Sequence, residues 1–276
     1  MRAGLLQLSV TDDPAENLAV TLDLLADAVR QGAEIVLTPE VTNCLSFDRV
    51  RQRDILRPEV RDPTLAGLRD AARSHGVWVL IGSLALRTAD PEGRFANRSF
   101  LIDPSGQIVA RYDKIHMFDV TVSEAETFRE SAAYRPGTKA TLARTPWGKI
   151  GMTVCYDLRF PELYRALARE GAAFLTVPAA FTATTGAAHW EILLRARAIE
   201  TGCFVIAPAQ TGTHAVTAER TLRTHGHAMI VAPWGEVVLD AGTEPGAFVV
   251  DIDPDAVTAA RARIPSIHAE RSWEGP

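Results

Sequence analysis

Short apolar runs alternate with helix-length amphipathic stretches twice along this chain, and each series closes on an antiparallel hairpin. That order restricts the fold more than any other feature. In the first series residues 3–8 read as a strand. Asp13-Pro14-Ala15-Glu16 opens a helix, with Asp as N-cap and Pro at the first helical position. Leu18, Leu22, Leu25 and Val29 mark one helical face, and Gly32 ends it. A short buried strand at 35–37, a helix at 64–75 closed by Gly76 and a strand at 77–81 follow. Segments 95–102 and 108–112 flank the turn sequence Asp103-Pro104-Ser105-Gly106 and form the hairpin.

The second series echoes the first. A strand (149–154), a helix (161–170), a strand (173–177), a longer helix (188–200) stopped by Gly202 and a strand (204–207) precede a hairpin, 228–231 with 237–240, around Pro233-Trp234-Gly235. A plain parallel sheet does not accommodate those hairpins. Two mixed β-sheets packed face to face with helices outside do, so the expected fold is α/β, a four-layer α-β-β-α sandwich. No Gly/Ser-rich linker divides the series, and residues 1–276 are expected to form one domain.

Composition narrows the partners. A net charge of −5 over 276 residues gives no basic footprint for nucleic acid or an anionic membrane. No run approaches the roughly 18 apolar residues of a membrane span, and the N-terminal apolar run is too short for a secretory signal. Three cysteines (Cys44, Cys155, Cys203), odd in number and without paired zinc-ligand spacing, suit a reducing compartment, and the cytoplasm is the expected location.

Three polar side chains follow strand ends, where sheet-containing folds gather their sites: Glu40, Lys114 and Cys155. Each has an ordinary alternative, namely a helix-start carboxylate, a solvated loop charge and a small buried hydrophobe. The setting of Cys155 argues against the last. It ends an apolar run and precedes Tyr156-Asp157-Leu158-Arg159-Phe160-Pro161-Glu162, where Pro161 opens a helix. A strand-to-helix junction lifts a thiol out of the sheet, and the nearby helix N-terminus is expected to favour its thiolate. A carboxylate, an ammonium and a thiol are together the parts of a cysteine-dependent acyl-transfer site.

Cys155-Tyr-Asp-Leu-Arg-Phe-Pro-Glu162, Thr38-Pro39-Glu40 and Tyr112-Asp113-Lys114-Ile115-His116 resemble the nitrilase (carbon–nitrogen hydrolase) superfamily. Thr185-Gly-Ala-Ala-His189-Trp190-Glu191, continuing through Arg195 and Arg197 to Glu200, and His225-Gly-His227 through Gly235 narrow the likeness to its Nit branch. The likeness runs from the first strand almost to the C-terminus. It implies Cys155 as nucleophile, Glu40 as general base, and Lys114 with the Tyr156 N–H as oxyanion donors. A second glutamate is implied on the loop after the lysine. Glu124, Glu126 and Glu130 compete for it, and the family's Phe-x-Glu-Ser pattern selects Glu130, in Phe128-Arg129-Glu130-Ser131.

The implied activity is cofactor-free hydrolysis of a small acidic 2-oxo amide through a thioester, with ammonia or an amine leaving. Deaminated glutathione is favoured as substrate. An ω-amidase acting on 2-oxoglutaramate or 2-oxosuccinamate is the alternative, with a nitrilase or a non-catalytic binding module behind it. Tyr156, Phe181, Thr185 and His189 are expected to line the substrate pocket. Arg159 and Glu162 are expected to form ion pairs that buttress the elbow, and Cys44 and Cys203 to be packing residues. His225-Gly-His227 is not a ligand set, and no metal is expected. The resemblance also implies a homodimer or higher homo-oligomer, with the 188–200 helix at a dimer interface.

Overall fold

A computed structural model describes residues 1–122, 126–269, 271–272 and 274–275. Its two six-stranded mixed sheets repeat one pattern. The first runs Gly246–Asp251, Arg2–Gln7, Ile35–Leu37, Trp78–Leu86, Ala96–Ile102, Ile108–Asp113. The second runs Thr141–Thr145, Gly148–Met152, Ala172–Thr176, Phe204–Ala207, Met229–Val231, Val237–Asp240. In each, an antiparallel edge strand precedes three parallel strands, and an antiparallel pair completes the sheet. The echo read along the chain is therefore a repeat of topology.

Helices form where caps and burial agree. Asp13 accepts from the N–H groups of Ala15 (2.8 Å) and Glu16 to start Pro14–Arg30. Asp62 accepts from Leu65 N–H at 2.8 Å to start Pro63–His75, which Gly76 ends at φ 67°. Both helices cover the outer face of the first sheet. Alternation sorts its apolar strands between two cores: Leu5, Leu37, Leu80 and Leu101 face the second sheet, while Leu6, Val36, Ile81 and Phe100 face these helices. The helices Pro161–Arg169 and Ala183–Thr201 cover the second sheet. Among the described residues no helix is long and apolar enough to cross a membrane.

Several boundaries depart from the sequence reading. The strand expected at 77–81 continues to Leu86 across an irregularity between Ile81 and Leu84. Gly82 lies in that irregularity because a Cβ there would meet Thr38 O at 2.0 Å. The helix expected from 188 begins at Ala183, capped by Thr182 Oγ1 on Thr185 N–H. Its first turn is polar and Gly-containing, so apolar periodicity does not reveal it. On Pro14–Arg30 the buried ridge is Asn17, Thr21, Leu25 and Ala28, with Leu18, Leu22 and Val29 only half-buried beside it. Leu18 instead packs against Gly67 of the neighbouring helix. The helix Arg49–Ile55 went unread because only Gln52 of its seven residues is buried.

Candidate active site

The chain leaves three strand ends on one side of the sandwich, and the side chains there converge. Lys114 follows Ile108–Asp113. Its backbone N–H donates to Asn97 O on the adjacent strand at 2.9 Å, and its carbonyl accepts from Gly137 N–H at 2.7 Å. Clamped in this way, the side chain points inward and its Nζ lies 2.9 Å from Glu40 Oε1, 2.8 Å from Glu130 Oε2 and 3.0 Å from Glu130 Oε1. The lysine and both glutamates lie almost wholly out of solvent.

Every carboxylate oxygen here has a donor. Ala180 N–H donates to Glu40 Oε2 at 2.9 Å, and Phe118 N–H donates to Glu130 Oε2 at 2.6 Å. Asn97 Nδ2 bridges the two acids, at 2.8 Å from Glu40 Oε1 and 3.3 Å from Glu130 Oε1. Sequence reasoning missed Asn97. The signal was an amide inside an otherwise apolar strand, where Asn is disfavoured. Glu126 is placed elsewhere, beside Thr184 Oγ1 (3.4 Å), and Glu124 lies outside the described residues.

Cys155 sits at φ 50°, in the left-handed region that non-glycine residues seldom adopt. Two anchors hold it there: its N–H donates to Pro178 O at 2.9 Å, and Asp157 secures the turn that follows. Fully buried Asp157 accepts from Tyr112 Oη (2.7 Å), Val154 N–H (2.9 Å), His116 N–H (3.0 Å) and His116 Nδ1 (2.7 Å). The elbow is thus buttressed by Asp157, not by ion pairs of Arg159 and Glu162. Neither of those makes an ion pair among the described residues; the Arg159 guanidinium lies 3.3 Å from His189 Nδ1 and over the Tyr156 and Phe181 rings. Tyr156, second in the turn, carries one of the N–H groups that a helix start leaves without an intrahelical acceptor.

Electrostatics reverse one expectation. Burial raises the Cys155 thiol well above its ordinary pKa, and Glu40 adds to the rise as neighbouring charge and hydrogen-bond acceptor, outweighing the opposing pull of Lys114. These influences together favour the thiol over the thiolate in the resting site. The turn after Cys155 is a five-residue 3-10 segment, too short to outweigh that burial. Burial also works against the charge of Lys114, but Glu130, Glu40 and Cys155 more than offset it and hold its pKa well above the usual lysine range. Glu130 is raised, chiefly by burial and further by Glu40, against the lowering effect of Lys114.

A cavity of about 380 Å³ opens onto this cluster, within the size range of small-molecule sites. Glu40, Lys114, Glu130 and Cys155 line it, as do Tyr156, Phe181 and Thr185. His189 does not: it lies within the helix, out of phase with the buried Trp190, Leu194 and Ala198, and is exposed beside the Arg159 guanidinium. Cys44 is fully buried but also contributes to the wall, whereas Cys203 sits far off beside Arg261 (3.0 Å). His225 and His227 stack on each other outside the cavity, and His227 Nδ1 lies 2.9 Å from Asp240. Among the described residues no group of three or more His, Cys, Asp or Glu could hold a metal ion.

A thiol on a strained turn, facing a carboxylate and a buried ammonium at the floor of a small cavity, can support acyl transfer through a thioester. Comparison with known proteins gives the family. The Carbon-nitrogen hydrolase family profile matches residues 2–262. A deaminated glutathione amidase of Synechocystis sp. is 43% identical over 267 residues, 96% of each chain. The C. elegans NitFhit protein superposes with a TM-score of 0.89 at 33% identity, over 98% of this chain and 65% of that longer one. An amidase from Nesterenkonia sp. AN1, solved after Michael addition of acrylamide at its active site cysteine, superposes with a TM-score of 0.78 at 28% identity, over 96% of this chain and 98% of its own. The chain belongs to the carbon–nitrogen hydrolase family, in the Nit branch of the nitrilase superfamily, and is an amidase.

Proposed function

We propose that this amidase hydrolyses the amide bond of 2-oxoglutaryl amides, deaminated glutathione foremost, with Cys155 as nucleophile, Glu40 as general base, Lys114 as oxyanion donor and Glu130 as the group that positions Lys114. One observation carries the reading: Glu40 touches Lys114 and faces the Cys155 thiol inside one cavity. Similarity to deaminated glutathione amidases at 37–43% identity over 96% of this chain supports the substrate.

A resting thiol requires that deprotonation accompany attack. Glu40 takes the Sγ proton as sulfur adds to the amide carbonyl, and the oxyanion forms against Lys114 Nζ and the Tyr156 N–H. The two oxygens of Glu130 can share one N–H of Lys114, and Glu40 takes a second, which leaves the third for the oxyanion. Glu40 passes its proton to the amide nitrogen, the C–N bond breaks, and an amine departs from the thioester. Water enters, Glu40 removes its proton, and hydroxide adds to the thioester. Collapse expels the thiolate, which recovers its proton from Glu40, and releases a carboxylic acid, which ionises as the departed amine takes up a proton.

Deaminated glutathione and 2-oxoglutaramate share their acyl half and differ in the leaving group, a dipeptide amine in the first and ammonia in the second. Release of 2-oxoglutarate is therefore the readout common to both. We expect a higher kcat/KM for deaminated glutathione, and none for either substrate with Cys155→Ala of unchanged circular dichroism. Turnover by that variant would sink the nucleophile assignment, and a preference for 2-oxoglutaramate would move the reading to the ω-amidase alternative.

Residues 1–276 are read as one domain, supported by the pairing of Arg2–Gln7 with Gly246–Asp251. A homodimer is supported by exposed Ile192 and Ile199 on the helix Ala183–Thr201, with Ile199 beside Gly235 and the exposed Trp234 next to it in sequence. A cytoplasmic location rests on the three unpaired cysteines.

A further inference from the structure

The cavity lining is more cationic than the proposed chemistry needs. Besides Lys114 it carries Arg49, Arg129 and Arg220, against the two carboxylates of Glu40 and Glu130, in a chain whose net charge is −5. Among the described residues none of these three arginines makes a close ion pair with a carboxylate, although Arg129 lies near enough to Asp119 to lower that carboxyl.

They differ in what remains free. Arg129 Nη1 is committed to the carbonyls of Val120 (3.2 Å) and Phe128 (2.7 Å). The Arg220 guanidinium lies over the rings of Phe47 (5.5 Å) and Phe128 (5.2 Å) and makes no side-chain hydrogen bond among the described residues, so its donor fork is open. It is exposed, on the turn between Thr211–Ala215 and Thr221–His225. From there an aromatic wall leads inward: Phe128 meets Phe118 at 5.0 Å, and Phe118 meets Tyr156, next to the nucleophile, at 5.1 Å.

Arg49 is half-buried. Its guanidinium lies 4.7 Å over Phe95, and Nη1 donates to Ala133 O at 2.9 Å. The Phe95 ring packs on Tyr134, whose hydroxyl accepts from Gln52 Nε2 at 3.1 Å and so keeps its own proton to donate. Tyr134 N–H donates to Glu130 O at 2.8 Å, which sets this polar end beside the lysine cluster. Burial, with Cys44, Glu130 and Glu40, raises the Tyr134 phenol and keeps it a donor.

Acyl transfer through a thioester orders the two arms of a substrate. The acyl arm stays bound while the amine leaves and water replaces it, so the amine arm must face the mouth. We propose that Arg49, with Tyr134, holds the carboxylate of the 2-oxo acyl arm, and that exposed Arg220 holds the carboxylate of the departing amine, making Arg220 the residue that selects peptide-like amides over simple carboxamides. This partition rests on the 2-oxoglutaryl amide reading and deepens it. Deaminated glutathione carries both carboxylates, whereas 2-oxoglutaramate lacks the second.

The test is steady-state kinetics of Arg220→Ala and Arg49→Ala on both amides, following 2-oxoglutarate release. Arg220→Ala is expected to lower the ratio of kcat/KM for deaminated glutathione over 2-oxoglutaramate about tenfold, through KM. Arg49→Ala is expected to lower kcat/KM about tenfold or more for both amides, leaving their ratio within threefold. Should Arg49→Ala misfold by circular dichroism, Arg49→Lys, which keeps the charge but loses the fork, is expected to lower both in the same way. An unchanged ratio in Arg220→Ala, or a changed ratio in the Arg49 variant, overturns the partition while the substrate reading stands. Wild-type enzyme that cleaves neither amide overturns the reading, and the partition with it.

Discussion

Replacing Lys114 by methionine, of similar length but uncharged, tests the electrostatic argument at its centre. The ammonium has three carboxylate contacts within 3.0 Å and almost no solvent. Without it, Glu40 and Glu130 remain buried, bridged to each other by Asn97. Breaking a buried ion pair from one side costs roughly 3–5 kcal/mol, or about 6–20 °C in Tm for a chain of this size. The loss should depend on pH. Glu130 already has a raised pKa, and removing the cation raises it further. A carboxyl whose folded pKa exceeds its unfolded value binds more protons in the folded state, so stability falls as pH rises. The variant should therefore approach wild type near pH 5 and show its full deficit by pH 8. Loss of one oxyanion donor should lower kcat by roughly 10²–10³ or more. Thermal denaturation from pH 5 to 8, with 2-oxoglutarate release measured on the folded variant, reads both effects. A kcat within twofold of wild type would refute the oxyanion role, and a Tm deficit independent of pH would refute the account of the paired carboxylates.

Two further outcomes follow from the same geometry. Iodoacetamide should modify Cys155 before fully buried Cys44 and Cys203, and because its thiol is raised above the ordinary value, the rate should still be climbing between pH 8 and 9; a plateau below pH 8 would mean that Lys114 holds a resting thiolate. Tyr112→Phe removes one of four donors to buried Asp157, a hydrogen bond to a charged acceptor that contributes about 2 kcal/mol. Its Tm should drop by about 4–8 °C, and a change under 1 °C would show that Tyr112 does not hold the elbow.

What the sequence determined is local or periodic. Asp13-Pro14 and Gly76 bound their helices because caps act within one turn of chain, and the boundaries of Ile35–Leu37 and Phe204–Ala207 followed from short apolar runs. The strand ends bearing Glu40, Lys114 and Cys155 were legible for the same reason, and family resemblance supplied the roles expected of them. Tertiary structure alone decided what depends on distant segments meeting. Asn97 bridges the two acids only because its strand pairs with the one that ends at Lys114. Asp157 replaces the expected Arg159–Glu162 buttress because Tyr112 and His116 reach it from the other sheet's strand end. Arg49 and Arg220, some 170 residues apart, have no shared pattern along the chain, yet both line one cavity. The thiol's protonation likewise follows from desolvation, which is set by everything packed around the sulfur and by no single neighbour in sequence.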